Sequence, residues 1–119
     1  MPRAEFPRAR RLTTPADFNR VFQKPIVSSD DCFKVLARAN DGGPTRLGMA
    51  VSRRVDRRAA GRNRIKRVVR ESFRQWSASH AHQLDIVVLP RYNLATICNR
   101  RLDRSLQMHW TRLEKRIEG

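Results

Sequence analysis

Acidic residues are scarce in this chain: 11 Asp and Glu stand against 26 Lys and Arg in 119 residues, a formal net charge of +15. The acids are scattered, and no Ser, His and Asp constellation, Walker-type phosphate loop or metal-ligand cluster is recognisable. The chain also lacks an apolar run of about 18 residues, a signal peptide and a lipidation signal. These absences argue against a protein-borne active site and favour a soluble, cytoplasmic protein.

Cysteine and histidine are too few to define a metal site. Cys32 and Cys98 both lie among apolar residues, so we expect two reduced, partly buried thiols; a disulfide is the alternative, for which the sequence gives no support. His80 and His82 form a His-x-His pair, but no third ligand is near them in the sequence, and a polar loop is the better interpretation. We therefore expect the protein alone to bind no metal or cofactor.

The apolar residues, 39% of the chain, are arranged periodically, which at this length predicts one globular domain over residues 1–119. A short basic segment with two prolines, residues 1–11, precedes it as an N-terminal arm. Because so strong a positive charge attracts polyanions, nucleic acid is the leading class of partner. A membrane surface is the weaker alternative.

Periodicity and turn signals predict seven elements in the order α-β-β-β-α-β-α. Thr14, Pro15 and Asp17 are typical of a helix start. The sequence Asp-Gly-Gly-Pro at 41–44 predicts a turn, and hence a hairpin of the second and third strands. The continuous apolar run at 84–89 is typical of a strand buried on both faces. The predicted bounds are 14–23, 26–28, 32–39, 46–52, about 62–76, 84–89 and a last amphipathic helix that carries Leu102, Leu106, Trp110, Leu113 and Ile117.

The stretch 52–74 concentrates ten Lys and Arg against two acids. On a helix, its apolar residues form one arc and its cations fill the adjoining one. Such a face can simply be solvated. Here, however, the like charges of Arg62, Lys66, Arg70 and Arg74 stack at successive i, i+4 positions, which destabilises an isolated helix. A polyanionic partner would relieve that repulsion.

The hexamer Arg62-Asn63-Arg64-Ile65-Lys66-Arg67, followed by Arg70 and Phe73, resembles the RNR signature of the protein subunit of bacterial ribonuclease P. Three further landmarks resemble that family in order and spacing. They are Arg11-Leu12 with Asp17-Phe18 and Val21-Phe22, the segment from Leu47 to Arg54, and the run LDIVVLPR from Leu84 to Arg91.

The resemblance implies an α/β (α+β) two-layer sandwich of the ribosomal-protein-like type, in which the βαβ connection through the RNR helix is left-handed, against the usual rule. It also implies a ribonucleoprotein endoribonuclease that removes the 5′ leader from precursor tRNA. A large RNA subunit performs the chemistry with Mg²⁺ held mainly on the RNA, so no protein residue is catalytic. The implied partners are that catalytic RNA and the 5′ leader, with no membrane and no obligate protein partner.

Two surfaces of the family carry over to this sequence. The RNR surface, which faces the catalytic RNA, maps to Arg53, Arg54, Arg62, Asn63, Arg64, Lys66, Arg67 and Arg70. The leader cleft, between the first helix and the sheet, maps to Phe18, Phe22, Lys34 and Leu36. Phe18 and Phe22 could instead be core residues, and Leu36 stands where the family often has an aromatic ring.

Two alternative functions keep the RNA-binding or basic character without the ribonuclease P role. A ribosomal protein or RNA chaperone would use the same fold for structure alone. A DNA-binding helix-turn-helix is disfavoured, since no second helix and tight turn precede Arg62. Substituting Arg64 or Lys66 by alanine should weaken holoenzyme assembly or lower cleavage and leave the fold intact, whereas Ile65→Ala should lower the free energy of unfolding by about 2–5 kcal/mol.

Overall fold

The computed structural model describes residues 11–40, 42–78 and 83–118. Most of the predicted N-terminal arm and the His80 and His82 pair lie outside these ranges. The elements follow the predicted order. They are α1 (Pro15–Phe22), β1 (Ile26–Ser29), β2 (Phe33–Ala39), β3 (Arg46–Met49), α2 (Ala59–Ser77), β4 (Leu84–Pro90) and α3 (Asn99–Glu118).

The start of α1 forms as its sequence predicts. The Thr14 hydroxyl accepts a hydrogen bond of 3.1 Å from the Asp17 N–H, and Pro15 takes the first helical position, where its missing N–H needs no partner. The helix ends at Phe22, and Lys24 then adopts a left-handed backbone with φ of 53°. The chain therefore turns sharply from α1 into β1.

The four described strands lie in the order β1-β2-β4-β3, with β3 parallel to β4 and the other pairs antiparallel. The predicted hairpin of β2 and β3 is therefore wrong, because β4 lies between them. All residues of β4 except Leu89 are buried, as predicted for a strand with a layer on each face. A strand so apolar is most stable in the middle of the sheet.

One face of the sheet packs against α2 and α3. Phe33, Val35 and Ala37 of β2 point to this side, as their alternation predicts, together with Ile86 and Val88 of β4. The helices contribute apolar residues spaced three and four apart. Those of α2 and α3 in the core are Ile65, Val69, Phe73, Leu102, Leu106, Trp110 and Leu113.

The opposite face carries α1 and a smaller core, in which Phe18 and Leu89 pack against Leu12, Val21, Leu36 and Val87. Ionic contacts fix α1 across the strands. Arg46 of β3 forms a bidentate pair with Asp85 of β4, at 2.9 and 2.7 Å, and lies 3.8 Å from Asp17 of α1. The Arg38 guanidinium of β2 donates to the carbonyls of Arg20 and Gln23.

The segment β3-α2-β4 is a parallel βαβ unit, as the family resemblance implies. Its left-handed sense and the single domain over 1–119 stay predictions. Of the helices in the described ranges, none combines the length and apolar character needed to cross a membrane.

The two cysteines are unpaired, but they do not match the expected pair of partly buried thiols. Cys32 is buried, and burial raises the pKa of its thiol. Cys98 is exposed just before α3, where a hydrogen bond from the Arg101 N–H lowers the pKa of its thiol. The expectation of partial burial is thus wrong for both residues.

Candidate nucleic-acid interface

The predicted division of α2 into an apolar and a basic side is confirmed. Gly61, Ile65, Val69, Ser72 and Phe73 are buried, whereas Asn63, Arg67, Arg70 and Arg74 are exposed. Arg62, Arg64 and Lys66 are half-buried at the boundary. The helix therefore binds the sheet with one side and presents a stripe of cations with the other.

A close contact sets the start of α2. Asp56 is buried, and its Oδ1 accepts a hydrogen bond of 2.9 Å from the Arg58 N–H, which lowers the pKa of the Asp56 carboxyl. A Cβ atom on Gly61 would lie 1.8 Å from the other carboxylate oxygen of Asp56. The close contact with Asp56 therefore requires glycine at position 61, although a glycine weakens a helix by about 1 kcal/mol.

Arg64 is the member of the RNR surface most engaged with the protein. Its guanidinium donates to the carbonyl oxygens of Ile97 at 2.8 Å and Leu94 at 3.1 Å, and to Asn99 Oδ1 at 2.8 Å. Arg62 likewise donates to the carbonyls of Asp56 and Arg57. These two arginines hold the segments around α2, which sequence reasoning did not foresee.

The other polar members of the RNR surface are available. In the described part of the chain, no hydrogen bond or ion pair occupies the side chains of Asn63, Lys66, Arg67, Arg70 and Arg53. Arg54 lies with its guanidinium carbon 5.5 Å from the centre of the Tyr92 ring. Cations with no internal partner keep their full charge for an external anion.

The structure brings Arg53 and Arg54 to the edge of this surface. Because β3 and β4 are parallel, the segments that follow them leave the sheet at the same end. Hydrogen bonds of 2.9 Å from the Asn93 N–H to the Arg54 carbonyl and from the Leu94 N–H to the Val55 carbonyl join the two segments. The first segment continues to the start of α2 and the second to the start of α3. The Arg64 side chain connects α2 to that second segment.

The leader-cleft residues meet on the opposite face of the sheet, where their environments differ. Phe22 is 45% exposed, and its ring centre lies 6.4 Å from that of Phe18. Phe18 is half-buried and rests on Gly48, where a Cβ atom would come within 2.8 Å of the ring. Phe18 thus combines packing with partial exposure, while Phe22 is the accessible ring.

Lys34 and Leu36 alternate with the core residues of β2, and both point to the α1 side. Lys34 is half-buried, and its ammonium has no partner among the described residues. Leu36 is only 6% exposed and packs with Val21 and Val87, so it belongs to the smaller core and offers almost no surface to a base. The prediction that Leu36 contacts the leader is corrected accordingly: its side chain is buried and is not a stacking surface.

A Ser, His and Asp group, which was not recognisable from the sequence, comes together between α3 and β1. The Ser28 hydroxyl lies 2.6 Å from His109 Nδ1. On the other side of the ring, His109 Nε2 lies 3.1 Å from Asp30 Oδ1, but the angle is unsuitable for a hydrogen bond, and no other described atom bonds to this nitrogen. Ser28 is 4% exposed and His109 fully buried. The group therefore joins β1 and the residue that follows it to α3.

Asp30 also belongs to the one cluster of possible metal ligands in the described ranges, with Asp31 and Cys32. Its carboxylate accepts hydrogen bonds from the N–H groups of Cys32 and Phe33 and from the Ser105 hydroxyl. Burial raises the pKa of Asp30, but these bonds outweigh it and lower the pKa to about 2. Asp31 pairs with Arg101, so the carboxylates already have partners.

The likeness to known proteins extends through most of the chain. A sequence model of the family described as Ribonuclease P matches residues 6–114. The ribonuclease P protein component of Methylococcus capsulatus is 44% identical over 114 residues, which cover 96% of this chain and 88% of that protein. The one from Salmonella arizonae is 42% identical over 115 residues, covering 94% and 93%.

Solved structures agree with the sequences. The RNase P protein of Staphylococcus aureus superposes with a TM-score of 0.78 at 31% identity, covering 91% of this chain and 97% of that one. The RNase P protein of Thermotoga maritima gives 0.73 at 32% identity, covering 86% and 96%. Sequence and fold therefore confirm the resemblance predicted from residues 62–67, and the chain belongs to the family of ribonuclease P protein components.

Proposed function

We propose that this protein binds the catalytic RNA of ribonuclease P through the RNR surface and holds the 5′ leader of precursor tRNA in the cleft beside α1. The RNA subunit and the Mg²⁺ ions held on it cut the phosphodiester, leaving a 5′-phosphate on mature tRNA. The protein raises the affinity for substrate and for Mg²⁺. It works in the cytoplasm and requires no protein partner.

The observation that carries this proposal is the outward stripe of Asn63, Lys66, Arg67 and Arg70, which no described residue neutralises. Two of these cations, Lys66 and Arg70, repeat at i, i+4, where like charges repel. Their repulsion would fall when phosphates approach, and released counterions would add to the affinity. The Asn63 amide, between two arginines, can bond to RNA edges or phosphates.

The placement of the chemistry on the RNA agrees with the burial of Ser28 and His109 in the group that they form with Asp30. A hydrolase needs an accessible nucleophile or a metal-bound water. Phosphodiester hydrolysis by Mg²⁺ held on RNA phosphates would require neither from the protein. The protein then acts through binding, as a scaffold of cations and exposed rings.

Reconstitution tests the proposal. The full-length protein is mixed with the ribonuclease P RNA of its own organism, and cleavage of precursor tRNA is measured at low, near-physiological Mg²⁺. We expect the wild type to raise cleavage and the triple variant Lys66→Ala, Arg67→Ala and Arg70→Ala to lose most of that increase. A matched control replaces Arg100, Arg104 and Lys115 of α3, which are also exposed cations, and should retain it.

The same assay separates the alternatives. A ribosomal protein or RNA chaperone of this fold would bind RNA without raising the cleavage of precursor tRNA. Equal loss in the two triple variants would mean that total charge, and not the RNR surface, determines the effect. Either result would contradict the proposal.

A further inference from the structure

A third candidate site lies where the segments after β3 and β4 meet, and it adjoins the RNR surface, with which it shares Arg53 and Arg54. It is a cavity of about 530 Å³ whose lining includes Arg53, Arg54, Asp56, Arg57, Tyr92 and Asn93. Its volume is within the range of small-ligand sites, about 300–1,000 Å³. We call it the Tyr92 pocket.

The pocket combines an accessible ring with cations. Tyr92 is 57% exposed, the largest exposure of a described large apolar residue. Arg53, Arg54 and Arg57 are all exposed around it, and the guanidinium of Arg54 lies over the ring at 5.5 Å. The carboxylate of Asp56 turns into the start of α2, where it is buried, so the opening is positively charged.

The walls of the pocket are rigid. Two backbone hydrogen bonds of 2.9 Å, from Asn93 and Leu94 to the carbonyls of Arg54 and Val55, tie them together. Asn93 has a φ of 63°, a left-handed conformation that asparagine tolerates better than most residues. The guanidinium of Arg64 holds the Leu94 carbonyl from α2. The geometry is thus fixed before any ligand arrives.

We propose that the Tyr92 pocket binds one unpaired nucleotide, with the base stacked on the Tyr92 ring and the adjacent phosphate held by Arg53 and Arg57. Aromatic rings stack on any unpaired base, and arginine binds phosphate with a bidentate fork. The pocket adjoins α2, since Arg62 donates to the carbonyls of Asp56 and Arg57. An RNA strand that lies on the RNR surface can therefore continue directly into the Tyr92 pocket.

This inference rests on the proposed function for the origin of the nucleotide, which comes from the catalytic RNA or from the leader of precursor tRNA. Binding by the pocket itself does not depend on that origin. It is measured with a single-stranded RNA octamer that carries 2-aminopurine, whose fluorescence falls when the base stacks.

The experiment compares the full-length wild type with Tyr92→Leu and Tyr92→Phe at about 150 mM salt. Leucine keeps apolar volume but removes the ring, so we expect about five- to 100-fold weaker binding and loss of the fluorescence change. Phenylalanine keeps the ring and should bind like the wild type. Thermal melts should coincide, since Tyr92 is exposed. Equal affinity of Tyr92→Leu and wild type, or equal losses in both variants, would overturn the proposal.

Two further arms assign the source of the nucleotide. Weaker binding of Tyr92→Leu to the catalytic RNA alone assigns it to that RNA, whereas a loss only for precursor tRNA with a leader, and not for mature tRNA, assigns it to the leader. A loss confined to the octamer would overturn a role in the complex. If the wild type failed to raise cleavage at all, the proposed function would fail while the octamer result still decided the pocket.

Discussion

Arg64 and Arg67 are three residues apart on α2 and carry the same charge, yet their surroundings differ. Arg64 donates three hydrogen bonds to the segment 94–99. Arg67 is exposed and has no partner among the described residues. The sequence places both on the basic side of the helix, but it cannot show that acceptors about 30 residues later approach only one of them. The Arg64 guanidinium, although part of the RNR signature, therefore stabilises the fold.

The first prediction concerns this pair. Arg64→Ala should lower the free energy of unfolding by about 1.5–3 kcal/mol, because it removes the guanidinium donor from the carbonyls of Ile97 and Leu94, and Leu94 then keeps only the Ile97 N–H. Arg67→Ala should change it by less than about 0.5 kcal/mol. Urea denaturation measures both values. This revises the expectation that Arg64→Ala leaves the fold intact.

Arg64→Lys provides the control for charge. Lysine keeps the positive charge but lacks the planar fork that reaches three acceptors, so its stability should lie between alanine and wild type. If Arg64→Ala and Arg67→Ala unfolded at the same urea concentration, the three hydrogen bonds would contribute nothing measurable.

The elements were predictable where their signals are local. The cap at Thr14, the alternation in β2 and the apolar spacing in α3 depend on neighbours within one or two turns, and all were confirmed. Strand pairing is non-local. The Gly-Gly-Pro turn before Arg46 favours a hairpin by itself, but the apolar β4, some 40 residues later, takes the central position and pairs with both strands. Likewise, Ser28 and His109 meet across 81 residues.

At the scale of elements, the proposed leader cleft lies between α1 and the sheet, and a second prediction tests it. In the holoenzyme, Phe22→Leu should weaken binding of precursor tRNA with a leader of several nucleotides by about five- to 100-fold, because one stacked ring is lost. Binding of mature tRNA, which has no leader, should not change. Equilibrium binding of the two RNAs measures the difference.

Phe18→Leu is the informative partner of that variant. Since the Phe18 ring rests on Gly48 and packs with Leu12, its loss should also lower the free energy of unfolding, whereas Phe22→Leu should not. If Phe22→Leu weakened both RNAs equally, or neither, the cleft assignment would fail although the family would stand.

The buried group that joins α3 to β1 leads to a third prediction, on pH. Burial lowers the pKa of His109 below its usual 6.5, against the opposing effect of Asp30. Below pH 6.5 the unfolded chain therefore binds a proton that the folded chain does not. The free energy of unfolding should fall as pH falls below this value. Urea titrations between pH 8 and 2 measure the slope.

Two variants identify the source of that slope. His109→Gln should remove most of it, whereas His80→Gln with His82→Gln should keep it. A second loss should follow below pH 3.8, the unfolded value of Asp30, as the pH falls toward its folded pKa of about 2, and should amount to about 2 kcal/mol. An unchanged slope in His109→Gln would contradict the assignment.

Across the whole molecule, some of the cations bind acceptors within the protein, and others are available to bind an external anion. On the α3 side, Arg112 and Arg116 donate to the carbonyls of Ser29 and Val27 and thereby cover the outer edge of β1. At the RNR surface and the Tyr92 pocket, six cations lack an acceptor among the described residues. These are Arg53, Arg54, Arg57, Lys66, Arg67 and Arg70.

The last prediction follows from this count. If these six cations meet phosphates, affinity for the catalytic RNA should fall by about three decades between about 50 and 200 mM salt, because each contact releases counterions. Lys66→Ala should reduce the slope of log affinity against log salt by about one. Arg112→Ala removes the same charge from the edge of β1 and should leave the slope unchanged. Filter binding at five salt concentrations measures all three proteins, and a shallow wild-type slope, or equal slopes for the two variants, would show that the RNA does not contact this surface.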